Sequence, residues 1–128
     1  MRARVGVLED VRNNYASTLN GLQRFEEAKS LLRKMIPVAR RVLGENDDLP
    51  FRMRKVYAKA LYKADGSTLD DLREAVSTLE ETEQTARRVF GGAHPLTKSI
   101  DYDLREARAA LRGANANESH FPIGTQVS

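Results

Sequence analysis

The chain has 128 residues, of which 41% are hydrophobic and 30% are charged, and this balance predicts one helix-rich domain with a modest core. The absence of cysteine excludes disulfides and cysteine-based zinc sites. The net charge of +3 is spread over a mixed surface, unlike the concentrated positive charge of nucleic-acid binders. No segment approaches the ~20 apolar residues of a membrane span, and no signal peptide is evident, so a cytoplasmic location is expected.

The first 44 residues predict two helices joined by a short turn. The first runs from about residue 7 to 22, and its apolar face is formed by Leu8, Val11, Tyr15, Leu19 and Leu22. The second runs from about 25 to 43 and stops at Gly44, since glycine tolerates the positive φ of a helix C-terminus. Pro37 lies inside it and should bend it.

Three further helices are predicted beyond a polar linker. The third covers about residues 50 to 64, and the fourth runs from a capping box at Thr68 and Asp71 to Phe90. The fifth begins at Pro95 and reaches about residue 112, with a polar stripe opposite its apolar one. Residues 1–6 form a short lead. From residue 113 to 128 the periodicity is lost, which predicts a disordered tail.

Two sequence segments occur twice. The segment 40–44, Arg-Arg-Val-Leu-Gly, returns as Arg-Arg-Val-Phe-Gly at 87–91, 47 residues later, and the pair Tyr15-Ala16 returns as Tyr57-Ala58, 42 residues later. A period of this length is typical of stacked helical hairpins. The five additional residues between the third and fourth helices, near 63–71, account for the two values. The sequence therefore predicts an all-α solenoid: a first repeat at about 7–44, a second at about 50–91 and a capping helix at about 94–112.

The repeated motifs resemble a known family. The segments 13–16 (Asn-Asn-Tyr-Ala), 24–28 (Arg-Phe-Glu-Glu-Ala) and 40–44, with the linker 92–97, are similar to tetratricopeptide repeats of the kinesin light chain type. The resemblance covers about residues 8 to 112, and implies a right-handed solenoid of two and a half repeats that acts as a non-catalytic protein-interaction module. The second repeat departs from the family pattern, because Lys55 and Val56 stand where the asparagine pair is expected.

The resemblance also implies where a ligand would bind, since the first helix of each family hairpin lines a concave groove. On the third helix Arg52, Lys55, Lys59 and Lys63 are spaced 3, 4 and 4 residues apart and share one face. Such a groove suits an extended acidic peptide. By family position the groove would be lined by Asn13, Ser17, Asn20, Arg52, Lys55, Lys59, Tyr62 and Tyr102. Asn13 is the best candidate to hold peptide backbone, as the matching asparagines do in kinesin light chains.

Alternative interpretations remain open for these residues. A basic stripe on a helix is most often a solvated face, and Tyr15 and Tyr57 are expected to be core aromatics. The chain could also be a structural segment of a longer repeat array with no ligand of its own, which would favour self-association through unpaired repeat ends. Weak nucleic-acid binding through the basic stripe is a third hypothesis, which the scarcity of aromatic residues there disfavours.

The sequence gives no sign of catalysis or of a bound cofactor. His94 and His120 lie apart from any metal-binding pattern, and the glycine pair at 91–92 lacks the remaining residues of a phosphate-binding loop. We therefore expect no enzyme activity, no cofactor and no metal, and a protein or peptide partner rather than a nucleic acid or a membrane.

Overall fold

The computed structural model describes the backbone of residues 2–127 and the side chains of residues 8 and 10–116. The described residues form five helices: α1 (Arg2–Gly21), α2 (Phe25–Leu43), α3 (Asp48–Lys63), α4 (Leu69–Phe90) and α5 (Pro95–Val127). Each helix packs against the next along the chain, and α3 also contacts α1 and α5. Within the described residues α1 does not contact α5 and α2 does not contact α4, so the hairpins stack in a row. The fold is the all-α helical-repeat solenoid that the sequence predicted.

Both predicted glycine helix ends and the predicted capping box are present. Gly44 and Gly91 follow α2 and α4 with φ of 88° and 90° and ψ of 157°, a backbone conformation essentially restricted to glycine. Each glycine N–H donates to the carbonyl four residues earlier. At the start of α4, Thr68 and Asp71 exchange side chain to backbone hydrogen bonds of 3.1 Å. The residues at the repeat boundaries therefore start or end helices through their own backbone conformation and local hydrogen bonds.

Three helix boundaries differ from the prediction. Helix α1 begins at Arg2 instead of residue 7, so it includes all of the predicted lead except Met1, which lies outside the described residues. Helix α3 begins at Asp48 because the Asp47 carboxylate accepts a hydrogen bond from the Leu49 N–H at 3.1 Å and caps it.

The third difference concerns the C-terminal end of the chain. Helix α5 does not stop near residue 112 but continues to Val127, so a tail from residue 113 is not what the structure contains. Ala110, Leu111 and Ala114 pack against the core, which carries the helix past Gly113 although glycine costs about 1 kcal/mol in a helix. Ser128 lies outside the described residues.

Tyr57 joins three successive helices, whereas its repeat counterpart Tyr15 does not enter the core. Tyr57 is 7% exposed, and its hydroxyl accepts a hydrogen bond from Arg33 Nε at 3.1 Å and donates one to Glu74 Oε2 at 2.5 Å. The prediction that Tyr57 is a core aromatic is confirmed. The same prediction for Tyr15 is wrong, because no helix of the described chain covers its face of α1 and the residue is 54% exposed.

Candidate peptide-binding groove

The candidate groove is formed by α1, α3 and α5, which lie side by side in the stack. Two polar contacts fix α1 against α3. Near one end the Arg52 guanidinium lies 3.2 Å from the Asp10 carboxylate, and near the other the Asn20 Nδ2 donates to the Val56 carbonyl at 3.0 Å. The relative positions of the two helices, and of the side chains between them, are therefore set by contacts 42 and 36 residues apart in sequence.

A cleft of about 430 Å³ opens between α1 and α3. Ser17 and Asn20 form its polar wall on α1, and Lys55, Lys59 and Lys63 form its basic wall on α3. No Asp or Glu is among the described residues that line it. The first four of these five residues are predicted site residues, so the structure brings half of the predicted set of eight to one cleft.

A buried carboxylate on α5 supports the basic wall. Asp103 is 1% exposed, and the Tyr62 hydroxyl donates to its Oδ1 at 3.1 Å. The Lys55 ammonium lies 3.3 Å from Asp103 Oδ2, and the Lys59 ammonium lies 4.0 Å from Oδ1. Tyr62 is thus engaged with Asp103 beneath the lysines. Because the two ammonium groups converge on one carboxylate, their positions are fixed before any ligand arrives.

Asp103 was not among the residues predicted for the groove, although the sequence contains a signal for it. It lies in the apolar stripe of α5, three residues after Ile100 and four before Ala107, both of which are buried. A carboxylate at such a position must find a cationic or hydrogen-bonding partner, because burying an unpaired charge is costly. The lysines of the neighbouring helix meet that requirement.

Burial and neighbouring charges alter the ionisation of two residues of this cluster. Burial lowers the pKa of Lys59, nearby Asp103 opposes that effect, and the ammonium groups of Lys55 and Lys63 lower it further. Burial, together with the charge of Asp103 and the hydrogen bond to it, raises the pKa of Tyr62 well above its usual range. Tyr62 therefore remains a neutral hydrogen-bond donor at physiological pH. The lysines repel one another, and an anion entering the cleft would relieve that repulsion.

Besides Tyr62, three further predicted site residues lie outside the cleft lining. Arg52 is ion-paired with Asp10 and lies 3.5 Å from Asp48, so two carboxylates offset its charge. Asn13 is 4% exposed, and its side-chain oxygen has no hydrogen-bond partner among the described residues. Tyr102 is 61% exposed on α5.

Two other kinds of feature are absent from the described residues. No group of three or more His, Asp or Glu side chains lies in an arrangement that could hold a metal ion. None of the described helices is both long enough and apolar enough to cross a bilayer.

Comparison with known proteins identified one similarity. Residues 10–48 match the family model of the tetratricopeptide repeat, a segment that covers most of α1, all of α2 and the start of α3. This match supports a tetratricopeptide repeat protein, and repeats of this family generally mediate protein–protein interactions and are generally non-enzymatic. Comparison with curated proteins and with solved structures gave no match.

Proposed function

We propose that this chain is a non-catalytic, cytoplasmic protein-interaction module whose cleft between α1 and α3 binds an extended acidic peptide. The observation that carries the proposal is the lining of the cleft: three ammonium groups share it with the neutral polar side chains of Ser17, Asn20 and Gln23, with no carboxylate among the described lining residues. The motifs at 13–16 and 40–44 support the further proposal that its repeats are of the kinesin light chain type.

The charge balance favours an acidic ligand. Lys55 lies closest to Asp103, at 3.3 Å, while Lys59 is farther away and Lys63 has no carboxylate within 4.0 Å among the described side chains. One buried carboxylate therefore offsets about one of three positive charges. The remaining positive potential would attract Asp or Glu side chains and select against basic peptides.

Asparagine oxygens offer a second element of recognition. The Asn20 amide is oriented by the hydrogen bond from its Nδ2 to Val56, and its Oδ1 is buried without a donor among the described residues. The Asn13 Oδ1, outside the cleft lining, is likewise buried without a donor among the described residues. Peptide backbone N–H groups are the donors that an extended ligand supplies at regular intervals, so such a ligand would satisfy acceptors that folding leaves unpaired.

The alternative function, a structural segment of a longer repeat array with no ligand of its own, is favoured by a different observation. Three apolar side chains of α1 and Leu22 directly after it are at least half exposed, as expected at the open end of an array. Peptide binding distinguishes the two functions, because a purely structural segment would not discriminate between peptides by charge.

A charge-removal experiment tests the proposal. Labelled extended peptides rich in Asp and Glu are titrated with the protein and compared, by fluorescence anisotropy, with peptides in which Asn and Gln replace the acids. The double variant Lys59→Gln/Lys63→Gln should weaken acidic-peptide binding by about tenfold or more, or about 1.4 kcal/mol. Lys55 is left intact, because its replacement would leave buried Asp103 with weaker charge compensation and disturb folding.

The matched control is Lys34→Gln/Lys98→Gln, which removes the same charge from exposed lysines that do not line the cleft. It should bind the acidic peptide as the wild type does, with similar sensitivity to salt. Equal binding of acidic and amide peptides, or equal losses in the two double variants, would show that the cleft is not an acidic-peptide site.

A further inference from the structure

Helix α1 presents an uncharged, exposed stripe that neither the core nor the cleft uses. We call it the α1 outer stripe, and its apolar members are Leu8, Val11 and Tyr15 of α1 and Leu22, which directly follows the helix, exposed by 50, 59, 54 and 62%. The Leu22 N–H still donates to the Thr18 carbonyl at 3.0 Å, so Leu22 continues the helical spacing. With exposed Thr18 these residues follow a spacing of 3, 4, 3 and 4, the heptad pattern by which one helix pairs with another. An apolar seam of this kind on a water-facing helix indicates an interaction surface.

The same positions are covered elsewhere in the molecule. By repeat register Tyr15 corresponds to Tyr57 on α3 and Leu104 on α5, and these two are only 7% and 2% exposed. Helix α2 packs on α3 and α4 packs on α5, and both are antiparallel neighbours because short turns connect them. Helices α1, α3 and α5 therefore carry equivalent docking faces. On α3 and α5 an antiparallel helix covers this face, whereas the α1 outer stripe is left exposed among the described residues.

The opposite end of the stack cannot provide the cover. There α5 exposes Tyr102, Arg105 and Arg108, and the two guanidiniums pair with Asp101 and Glu80. Head-to-tail stacking of two copies would bury these ion pairs against aliphatic side chains, which is unfavourable. Because one end of the stack is apolar and the other is charged, head-to-tail growth into a filament is excluded. A twofold dimer, in which the two apolar ends contact each other, is favoured.

The stripe is also complementary to itself. Leu8 and Leu22 each lie seven residues, about two turns, from Tyr15. If two α1 helices pair antiparallel across a twofold axis at Tyr15, Leu8 of one copy meets Leu22 of the other, and the two tyrosines meet at the axis. No Lys, Arg, Asp or Glu occupies the five heptad positions, so nothing in the seam repels its own copy.

We propose that a second copy of this chain covers the α1 outer stripe, giving a twofold dimer built on an antiparallel pair of α1 helices. The cleft lies on another side of α1, because Asn20 is about 140° around the helix from Tyr15 at 100° per residue. Both clefts stay open in the dimer, which presents two binding sites at once. The dimer stands whether or not the cleft binds peptide.

Sedimentation equilibrium of the full chain, from about 1 to 100 μM, tests the dimer. The wild type should approach twice its 14.4 kDa monomer mass. Tyr15→Arg should remain monomeric with unchanged helical circular dichroism, since a twofold axis at residue 15 would bring two guanidiniums together. Tyr102→Arg, the same replacement at an exposed tyrosine of the opposite end, should dimerise as the wild type does.

A mixing experiment tests the position of the axis. Tyr15→Glu alone should also be monomeric, whereas an equimolar mixture of Tyr15→Arg and Tyr15→Glu should recover the dimer mass through an ion pair at the axis. A wild type that is monomeric throughout would assign the stripe to a helix of another protein and overturn the proposal. Growth beyond a dimer, or variants at residue 15 that dimerise undisturbed, would also overturn it, and a mixture that stays monomeric would refute the axis at Tyr15.

Discussion

Asp103 determines how the lysines of α3 are arranged. Two ammonium groups and one phenol converge on a carboxylate that is 1% exposed, so the basic wall of the cleft depends on a residue of α5. Such a cluster is sensitive to replacement because each member satisfies another. Removal of a donor from a buried acceptor typically costs about 1–3 kcal/mol.

Replacement of Tyr62 by Phe should therefore reduce the free energy of unfolding by about 1–3 kcal/mol at pH 7. The loss should shrink as the pH rises. The pKa of Tyr62 is raised in the folded chain, so the unfolded chain releases the phenol proton first, at about pH 10, and wild-type stability falls above that pH. Phenylalanine has no such proton. Urea unfolding of both proteins at pH 7, 9 and ~10.5 measures the difference.

The lowered pKa of Lys59 acts in the opposite direction, so that its stability contribution improves as the pH rises, but it is present in both proteins and cancels in the difference. Tyr102→Phe, which removes an exposed hydroxyl, should match the wild type at pH 7 within about 0.5 kcal/mol. A wild-type advantage over Tyr62→Phe that is constant with pH would contradict the pKa shift assigned to Tyr62.

At this scale the sequence predicted the lysine face but not its partner. Spacings of 3 and 4 identify which residues share a face of one helix, and Lys55 and Lys59 do lie together. The same spacings do not say which residue of another helix they meet, because that depends on the crossing of α3 and α5. Arg52 illustrates the same limit, since Asp10, 42 residues away, engages it.

Among the elements, α4 has the most complete N-terminal signal. Its first turn carries the Thr68–Asp71 capping box as well as two acidic side chains, Asp70 and Asp71, which favour the positive end of the helix dipole. The helix follows the five-residue insertion of the second repeat. Local chemistry therefore fixes the position at which the second repeat resumes after its insertion.

Thr68→Ala should consequently lower stability by about 1 kcal/mol in urea unfolding, because it removes the acceptor for the Asp71 N–H. Thr85→Ala on the same helix is the matched control. The Thr85 hydroxyl donates to the Glu81 carbonyl, which already serves the helix, and alanine has the higher helix propensity. Thr85→Ala should therefore be neutral or slightly stabilising, and equal losses at the two positions would argue against the cap.

Three helix ends with cap chemistry were predicted well, namely Gly44, Gly91 and the Thr68 box, whereas the Asp47 cap of α3 was missed. The ends of α1 and α5 carry no such signal, and both predictions there were too short. For α5 the deciding factor is packing, since Ala114 reaches the core one residue beyond Gly113. Tertiary contacts of that kind override a weak local breaker and leave no mark in the local sequence.

For the whole molecule, residues at equivalent positions of the repeats contribute unequally to the free energy of unfolding, because they are not equally buried. Tyr15, Tyr57 and Leu104 occupy one position in three successive units, yet only the last two are buried. The periodicity of α1 correctly identified an apolar face. It could not show that no helix of the described chain covers that face, because a hydrophobic stripe looks the same whether its partner is present or not.

Leu104→Ala should therefore destabilise the chain by about 2–5 kcal/mol through cavity formation. Tyr15→Ala should change the stability of the monomer by no more than about 0.5 kcal/mol. Thermal unfolding followed by circular dichroism at low-micromolar concentration, where association is weak, compares the two. Comparable losses would mean that the hairpins do not stack in the register described here.

The two glycine joints have a consequence for how such a chain can grow. Gly44 and Gly91 share φ and ψ within a few degrees, and the same segment, Arg-Arg-Val followed by Leu or Phe, precedes each of them at the end of a helix. A tandem duplication of residues 45–91 would meet the same backbone geometry at both of its borders. A single recombination event could thus lengthen the molecule by one unit while requiring no new linker, and unequal crossing-over could shorten it again.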